Sequence, residues 1–296
     1  MSFLDERANL DGKVAVIAGG GGGLGRAIAV DLARAGVRLA LLDRNEVLLD
    51  ETVTVCRAAG VAVEALVGDA RQPDTLEELF ATADRRFERV DALVNVVGGT
   101  FRQPFVESTP RGWDAIIRTN FTWLLHSTHL AVTRMRSAGR GGSIINLTSI
   151  EAHRAAPGFA VYAGMKGAVT NFSRTLAVEL APDAIRVNTI AADMVPTEGT
   201  AAIEGSAGAL SPGGDPAADE LTATIAIPMG RRGRYEDVGN CALFLVSDLS
   251  SYVTGTTLHP DGGALASSGW FNWPQDGWGN TPPPRVVGGL LGADRA

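Results

Sequence analysis

Short apolar runs alternate along this chain with longer stretches whose apolar positions recur every three or four residues. Residues 13–18, Lys-Val-Ala-Val-Ile-Ala, lack polar alternation and end in glycines, the pattern of a strand buried on both faces. From Leu24 to Ala35 the spacing becomes helical and stops at Gly36, a common C-terminal signal. A second strand is expected over 37–42, a helix over 45–59 closed by Gly60, and a third strand over 61–67. The next helix is expected over 73–87, with Pro73 in the first turn, where its fixed φ fits. Strands over 90–94, 143–147, 185–190 and 256–259, and helices over 112–136, 159–180 and 235–249, complete the series.

Repeated strand–helix alternation predicts an α/β fold of the Rossmann type. It is a doubly wound, parallel seven-stranded sheet with helices on both faces and right-handed crossovers. In such sheets ligands bind beyond the C-terminal strand ends, at the switch point of the strand order. No internal repeat or low-complexity linker divides the body, so 1–266 is expected to form one domain and 267–296 an extension.

The loop after the first strand is Ala18-Gly19-Gly20-Gly21-Gly22-Gly23-Leu24-Gly25. Glycines at Gly19, Gly23 and Gly25, with Leu24, let backbone approach a pyrophosphate at the helix N-terminus. No Lys-Ser/Thr follows, so the pattern is not a P-loop. Asp43 ends the second strand, where a ribose-binding acid is expected about 20 residues past the glycines. A carboxylate there accepts from both ribose hydroxyls of NAD and repels the 2′-phosphate of NADP. Arg44 beside it softens that choice, which still favours NAD. Asp69, with Ala70, follows the third strand and is placed to meet an adenine edge; capping the Pro73 helix is the other reading.

Tyr162 and Lys166 stand four apart on an expected helix, hence on one face. A free phenol titrates near pH ~10, and a neighbouring cation lowers that value. The pair is a candidate acid/base for a hydroxyl proton.

Composition narrows the function classes. Hydrophobic residues make up 45% of the 296, enough for a sizeable core, and the net charge of −7 comes with no basic block. Nucleic acid and anionic membrane surfaces are therefore poor partners. No apolar run reaches the length of a membrane span, and the first residues lack a signal-peptide order. Cys56 and Cys241 are far apart and read as thiols in a reducing compartment, which points to the cytoplasm. His126 and His129 lack a carboxylate or cysteine to complete a ligand set, so no metal is expected.

With these elements placed, residues 10–265 resemble the short-chain dehydrogenase/reductase family in its form of about 250 residues. The family glycine motif corresponds to Gly19, Gly23 and Gly25, its N-N-A-G to Asn95-Val96-Val97-Gly98, and its helical asparagine to Asn120. Its serine corresponds to Ser149, its Y-x-x-x-K to Tyr162 and Lys166, and its late D-G-G to Asp261-Gly262-Gly263. Ala18 replaces a threonine, and Ala192-Asp193 stand where P-G is usual. The resemblance implies a nicotinamide cofactor, with Asn95, Gly98 and Thr197 among its contacts. It further implies Tyr162 as acid/base, Lys166 bonded to the nicotinamide ribose and lowering the Tyr162 pKa, Ser149 bonded to the substrate oxygen, and Asn120 holding a water. It implies homodimers or homotetramers through the 112–136 and Tyr162 helices, and a substrate lid over about 193–230.

No lysine or arginine occurs from Val187 to Gly230. A lid without cations suits neutral, cyclic or lipophilic alcohols and ketones better than CoA or carrier phosphates. Glu151, His153 and Arg154 either border the substrate or form a solvated loop. Trp270, Trp273 and Trp278 lie in the last thirty residues, so this tail is expected to pack on its own or a neighbouring subunit. The leading expectation is an NAD-dependent secondary alcohol dehydrogenase or ketone reductase. The alternatives are an NADP-dependent 3-oxoacyl reductase and a non-catalytic nucleotide-binding protein.

Overall fold

A computed structural model describes residues 2–193, 195–196 and 216–292. Its main sheet follows the expected architecture. The strands are β1 (Val14–Ala18), β2 (Arg38–Asp43), β3 (Val63–Val67), β4 (Ala92–Asn95), β5 (Gly142–Ser149), β6 (Ile185–Ala192) and β7 (Thr257–Leu258). They run parallel in the order β3-β2-β1-β4-β5-β6-β7. The order reverses between β1 and β4, so a crevice opens there at the C-terminal strand ends.

Alternate strand residues feed two separate cores, as the two-residue period requires. Ala15, Ile17, Leu39, Leu41, Ile145 and Ile190 face one side. There they meet α2 (Gly23–Arg34), α3 (Glu46–Ala58) and the helix Tyr235–Val246. Val14, Val16, Ala18, Ala40, Leu42 and Leu93 face the other. There they meet α4 (Pro73–Phe87), α6 (Trp123–Ala138) and α7 (Ala160–Leu180). Both faces being covered explains why the strands read as unbroken apolar runs.

One polar seam crosses this interior. Asn95 and Asn146 are register partners on β4 and β5 and share a hydrogen bond of 2.8 Å. Ser127 Oγ donates to Asn95 Oδ1 at 2.8 Å, and Asn146 Nδ2 donates to Ser173 Oγ at 2.8 Å. All four side chains are buried. Cys56 is buried too, and burial pushes its thiol up to about 11, so it stays protonated. Cys241 is only half-buried.

Several elements differ from expectation. The helix expected over 112–136 is instead α5 (Pro110–Ile117), a π turn (Arg118–Thr122) and α6. Asn120 causes the break, because its Nδ2 donates to both the Ile116 and Gly99 carbonyls. The chain widens to admit that side chain. Strands β5 and β6 run to Ser149 and Ala192, beyond the limits expected from hydrophobicity, because backbone pairing persists through Thr148–Ala191 and Ser149–Ala192.

The short helix α1 (Phe3–Ala8) was not expected. It buries nothing and is held by a capping box between Ser2 and Asp5. The tail forms an antiparallel hairpin, β8 (Phe271–Trp273) with β9 (Gly277–Gly279), and then a helix (Pro284–Gly292). Strand β8 packs against the helix Pro216–Ala226. Trp273 is partly covered, while Trp270 and Trp278 stay about half exposed. No helix among the described residues is long and apolar enough to cross a membrane.

Candidate functional site

The crevice at the β1/β4 switch is a cleft of about 600 Å³ lined by Gly19, Gly23, Leu24, Asp43, Arg44, Asp69, Ala70 and Gly98. Its glycines are there for steric reasons. Gly19 has φ 96° and Gly23 φ 51°, both left-handed. A Cβ on Gly25 would collide with the Gly19 carbonyl. A side chain at any of these positions would therefore distort the turn or fill the cradle. The amide donors at the start of α2, which no side chain caps, suit a pyrophosphate, so the residues present fit a dinucleotide.

Asp43 is fixed by two backbone donors. Gly21 N reaches its Oδ2 at 2.9 Å and Asn45 N reaches its Oδ1 at 3.0 Å. A Cβ on Gly21 would come within 2.8 Å of the Asp43 carboxyl carbon, so loop and carboxylate are in close contact. Arg44 lines the same cleft.

Asp69 does not cap α4; the N-cap there is Gln72. Instead Arg71 binds the Asp69 carboxylate through its backbone N at 2.9 Å and its Nη2 at 2.6 Å. The Arg71 side-chain hydrogen bonds hold the carboxyl below the usual carboxylate range. Arg71 also reaches Thr119 Oγ1 at 3.4 Å, so it closes one cleft wall. No sequence signal marks it.

Asn95 does not line the cleft. Its side chain is spent on Asn146, Ser127 and, at 3.4 Å, Thr128. Two-residue alternation puts it on the same face as Leu93, toward α6 and α7. Gly98 lies where a Cβ would be 3.0 Å from Asn120 Oδ1 and 3.2 Å from Lys166 Nζ. Thr197 and most of the 193–230 lid lie outside the described residues.

Ser149, Tyr162, Lys166 and Asn120 converge next to this cleft. Ser149 ends β5 beside the Tyr162 hydroxyl, where its side chain works to lower the phenol pKa. Lys166, one turn along α7 from Tyr162, is only 4% exposed. Its Nζ donates to the Leu147 carbonyl at 2.9 Å and sits 5.7 Å from the Tyr162 ring centroid. Asn120 Oδ1 accepts from Gly99 N at 3.2 Å, which anchors the loop after β4.

The electrostatics depart from the expectation that Lys166 lowers the Tyr162 pKa. Burial pushes the phenol up to about 12; the Ser149 side chain opposes this, while Glu151 and Asp193 add to it. Lys166 Nζ lies over the Tyr162 ring, and burial brings its own pKa down to about 8.

Arg154 joins Glu151 at 2.8 Å and Asp193 at 3.5 Å, linking the segments after β5 and β6. Burial lowers its pKa, but the Glu151 hydrogen bond and the Asp193 charge outweigh that and hold it above its ordinary value. These three residues therefore form an ion cluster rather than a solvated loop. His153 stacks edge-on against His259, with ring centroids 4.8 Å apart. Among the described residues no group of three or more His, Cys, Asp or Glu could hold a metal.

A family profile described as enoyl-(acyl carrier protein) reductase matches residues 19–264. An uncharacterized oxidoreductase of Mycobacterium tuberculosis is 36% identical over 256 residues, covering 86% of this chain and 92% of the relative. A 3-oxoacyl-[acyl-carrier-protein] reductase of Thermotoga maritima is 33% identical over 86% of this chain and 99% of its own. Among solved structures, a 7α-hydroxysteroid dehydrogenase complexed with NADH and a 7-oxo bile acid superposes with a TM-score of 0.79. It is 30% identical, over 89% of this chain and 98% of that one. A proposed 2-deoxy-D-gluconate 3-dehydrogenase of Agrobacterium tumefaciens with bound NADP gives 0.74 at 31% identity, over 87% and 98%. The chain belongs to the short-chain dehydrogenase/reductase family and is an oxidoreductase of that type.

Proposed function

We propose that the protein interconverts a secondary alcohol and a ketone on a neutral, cyclic or lipophilic substrate, with NAD(H) as cofactor. The observation that carries this reading is Ser149 set beside the Tyr162 hydroxyl, with a buried Lys166 one turn away, next to a glycine-lined cleft ending at Asp43. When bound, the nicotinamide takes or supplies the hydride at the carbinol carbon. In the oxidation direction Tyr162 accepts the alcohol proton, and in reduction it returns one to the forming alkoxide. Ser149 holds the substrate oxygen and stabilises charge developing on it. Lys166 places a cation beneath the Tyr162 ring and is the group available to a nicotinamide ribose. Asn120 keeps the π turn open and the Gly99 loop in place behind it.

Asp43 supports NAD, because a fixed carboxylate at the ribose edge meets hydroxyls well and a phosphate badly. The steroid dehydrogenase holding NADH supports it as well. A second reading, an NADP-dependent 3-oxoacyl reductase, draws on Arg44 in the cleft wall and on the Thermotoga relative. The cation-free stretch from Val187 to Gly230 weighs against it. Oligomerisation through α6 and α7 belongs to the same proposal.

Purified protein assayed on cyclic, terpenoid and steroid secondary alcohols, with NAD and NADP in parallel, tests both readings. Turnover with NAD on a neutral ring alcohol is expected. Preference for NADP and a 3-oxoacyl thioester would replace the first reading with the second.

A further inference from the structure

A second cleft, of about 840 Å³, lies at the opposite end of the sheet from the dinucleotide cleft. It is framed by residues entering β1, β5 and β6. Lys13, Arg89, Arg140 and Arg186 line it, against Asp91 and Asp248.

Both carboxylates are already supplied with donors. Asp248 takes Lys13 Nζ at 2.6 Å and Asn9 Nδ2 at 2.7 Å. Asp91 takes Val14 N at 2.8 Å and Arg89 Nη2 at 2.6 Å. Among the described residues Arg186 and Arg140 remain without an ion pair of their own, and of these Arg186 feels only the already bonded Asp248. Arg186 Nη2 donates to the Leu245 and Ser247 carbonyls at 2.8 and 3.3 Å, which neutralise no charge, and its Nη1 is buried with no acceptor. Arg89 Nε is likewise buried with no acceptor. Arg140 stands exposed at the rim and makes no ion pair among the described residues.

The chain is built to bring these groups together. Gly141, with φ 73°, has no room for a side chain, since a Cβ would come within 2.5 Å of the Ala184 carbonyl. That close approach sets Arg140 beside the start of β6, where Arg186 lies. Buried donors without acceptors are rare in native proteins, and each calls for a partner. The overall charge of −7 means that the local arrangement, not the whole molecule, attracts an anion.

We propose that this cleft binds a phosphate group, with Arg186 and Arg89 on the floor and Arg140 at the rim. A tetrahedral oxyanion presents acceptors in several directions, as donors from three separate segments require, and charge-assisted bonds to guanidinium are strong. The reading goes beyond the proposed oxidoreductase activity and does not depend on it.

Calorimetric titration of the full chain with inorganic phosphate, against sodium chloride at matched ionic strength, tests the site. Saturable binding is expected, weakened about tenfold in Arg140→Ala and unchanged in Arg44→Ala. Arg140 makes no contact that the fold needs, so its variant remains interpretable even if Arg186→Met, expected to abolish binding, does not fold. Glycerol phosphate in place of the inorganic ion distinguishes a metabolite-borne group from the free ion by which binds more tightly. No saturable binding, or equal binding by Arg140→Ala and the parent, overturns the proposal. Loss in Arg44→Ala alone would assign the ion to the dinucleotide cleft and overturn it too.

Discussion

Lys166 carries its ammonium out of reach of water, with the Leu147 carbonyl as acceptor. Burial lowers its pKa from an ordinary 10.5 to about 8. Between those values the unfolded chain holds a proton that the folded chain has released, so stability rises with pH across this window. It is lost again as pH falls through about 8. Tyr162 acts in the opposite sense only above its ordinary 10, where stability falls as pH rises toward about 12. Lys166→Met should remove the lower window and raise stability at neutral pH. The relief is about 3 kcal/mol from the pKa change, less about 1 kcal/mol for the stranded carbonyl. Thermal unfolding of both proteins from neutral to alkaline pH checks the sign; a less stable variant contradicts it. Tyr162→Phe should abolish turnover yet leave NADH binding nearly intact, as stopped assays and fluorescence titration would show. Glu151 and Asp193 raise the phenol's pKa, so Asp193→Asn should move the midpoint of the kcat/KM profile to lower pH. Arg154→Met, which removes their shared counter-charge, should move it higher. Shifts of the same sign in both variants would break this account.

At the scale of elements, the alternation of apolar runs and helical spacing was enough to place the sheet. Side-chain chemistry at strand and helix ends was harder to read. The i, i+4 spacing of Tyr162 and Lys166 put them on one face because helix geometry depends only on sequence separation. The glycines before α2 were legible because close approach leaves a compositional trace. Asn95 was not, since its partners Asn146 and Ser127 are distant in sequence and only the fold brings them together. Arg71 and the Arg154 cluster likewise depend on where neighbouring strands end. The π turn also escaped periodicity, because a single side chain bonding across the turn creates it. Asn120→Ala removes three hydrogen bonds, two donated and one accepted. It should cost about 3 kcal/mol, and urea unfolding showing a change under about 0.5 kcal/mol would contradict that role.

At the scale of the molecule, the tail hairpin is joined to the body through the helix Pro216–Ala226, within the stretch that resembles a substrate lid. Three tryptophans in thirty residues signalled packing, but the sequence did not say against what. Truncation after Ala266 should free that helix, raising its hydrogen exchange and raising KM more than it lowers kcat. Unchanged exchange and unchanged kinetics would mean that the hairpin braces nothing. The polar seam between β4 and β5 has a different consequence. Asn95 meets Asn146 in only one alignment of the two strands. A slip of either strand by one residue would turn its own asparagine to the opposite face and leave the other amide without its partner, at about 1–3 kcal/mol for each group left unpaired. An all-apolar sheet tolerates a misthreaded intermediate, whereas this one rejects it. The seam thus serves as an error check on assembly, fixing the central strands in the one register that pairs Ala92 with Ser143 and Asn95 with Asn146.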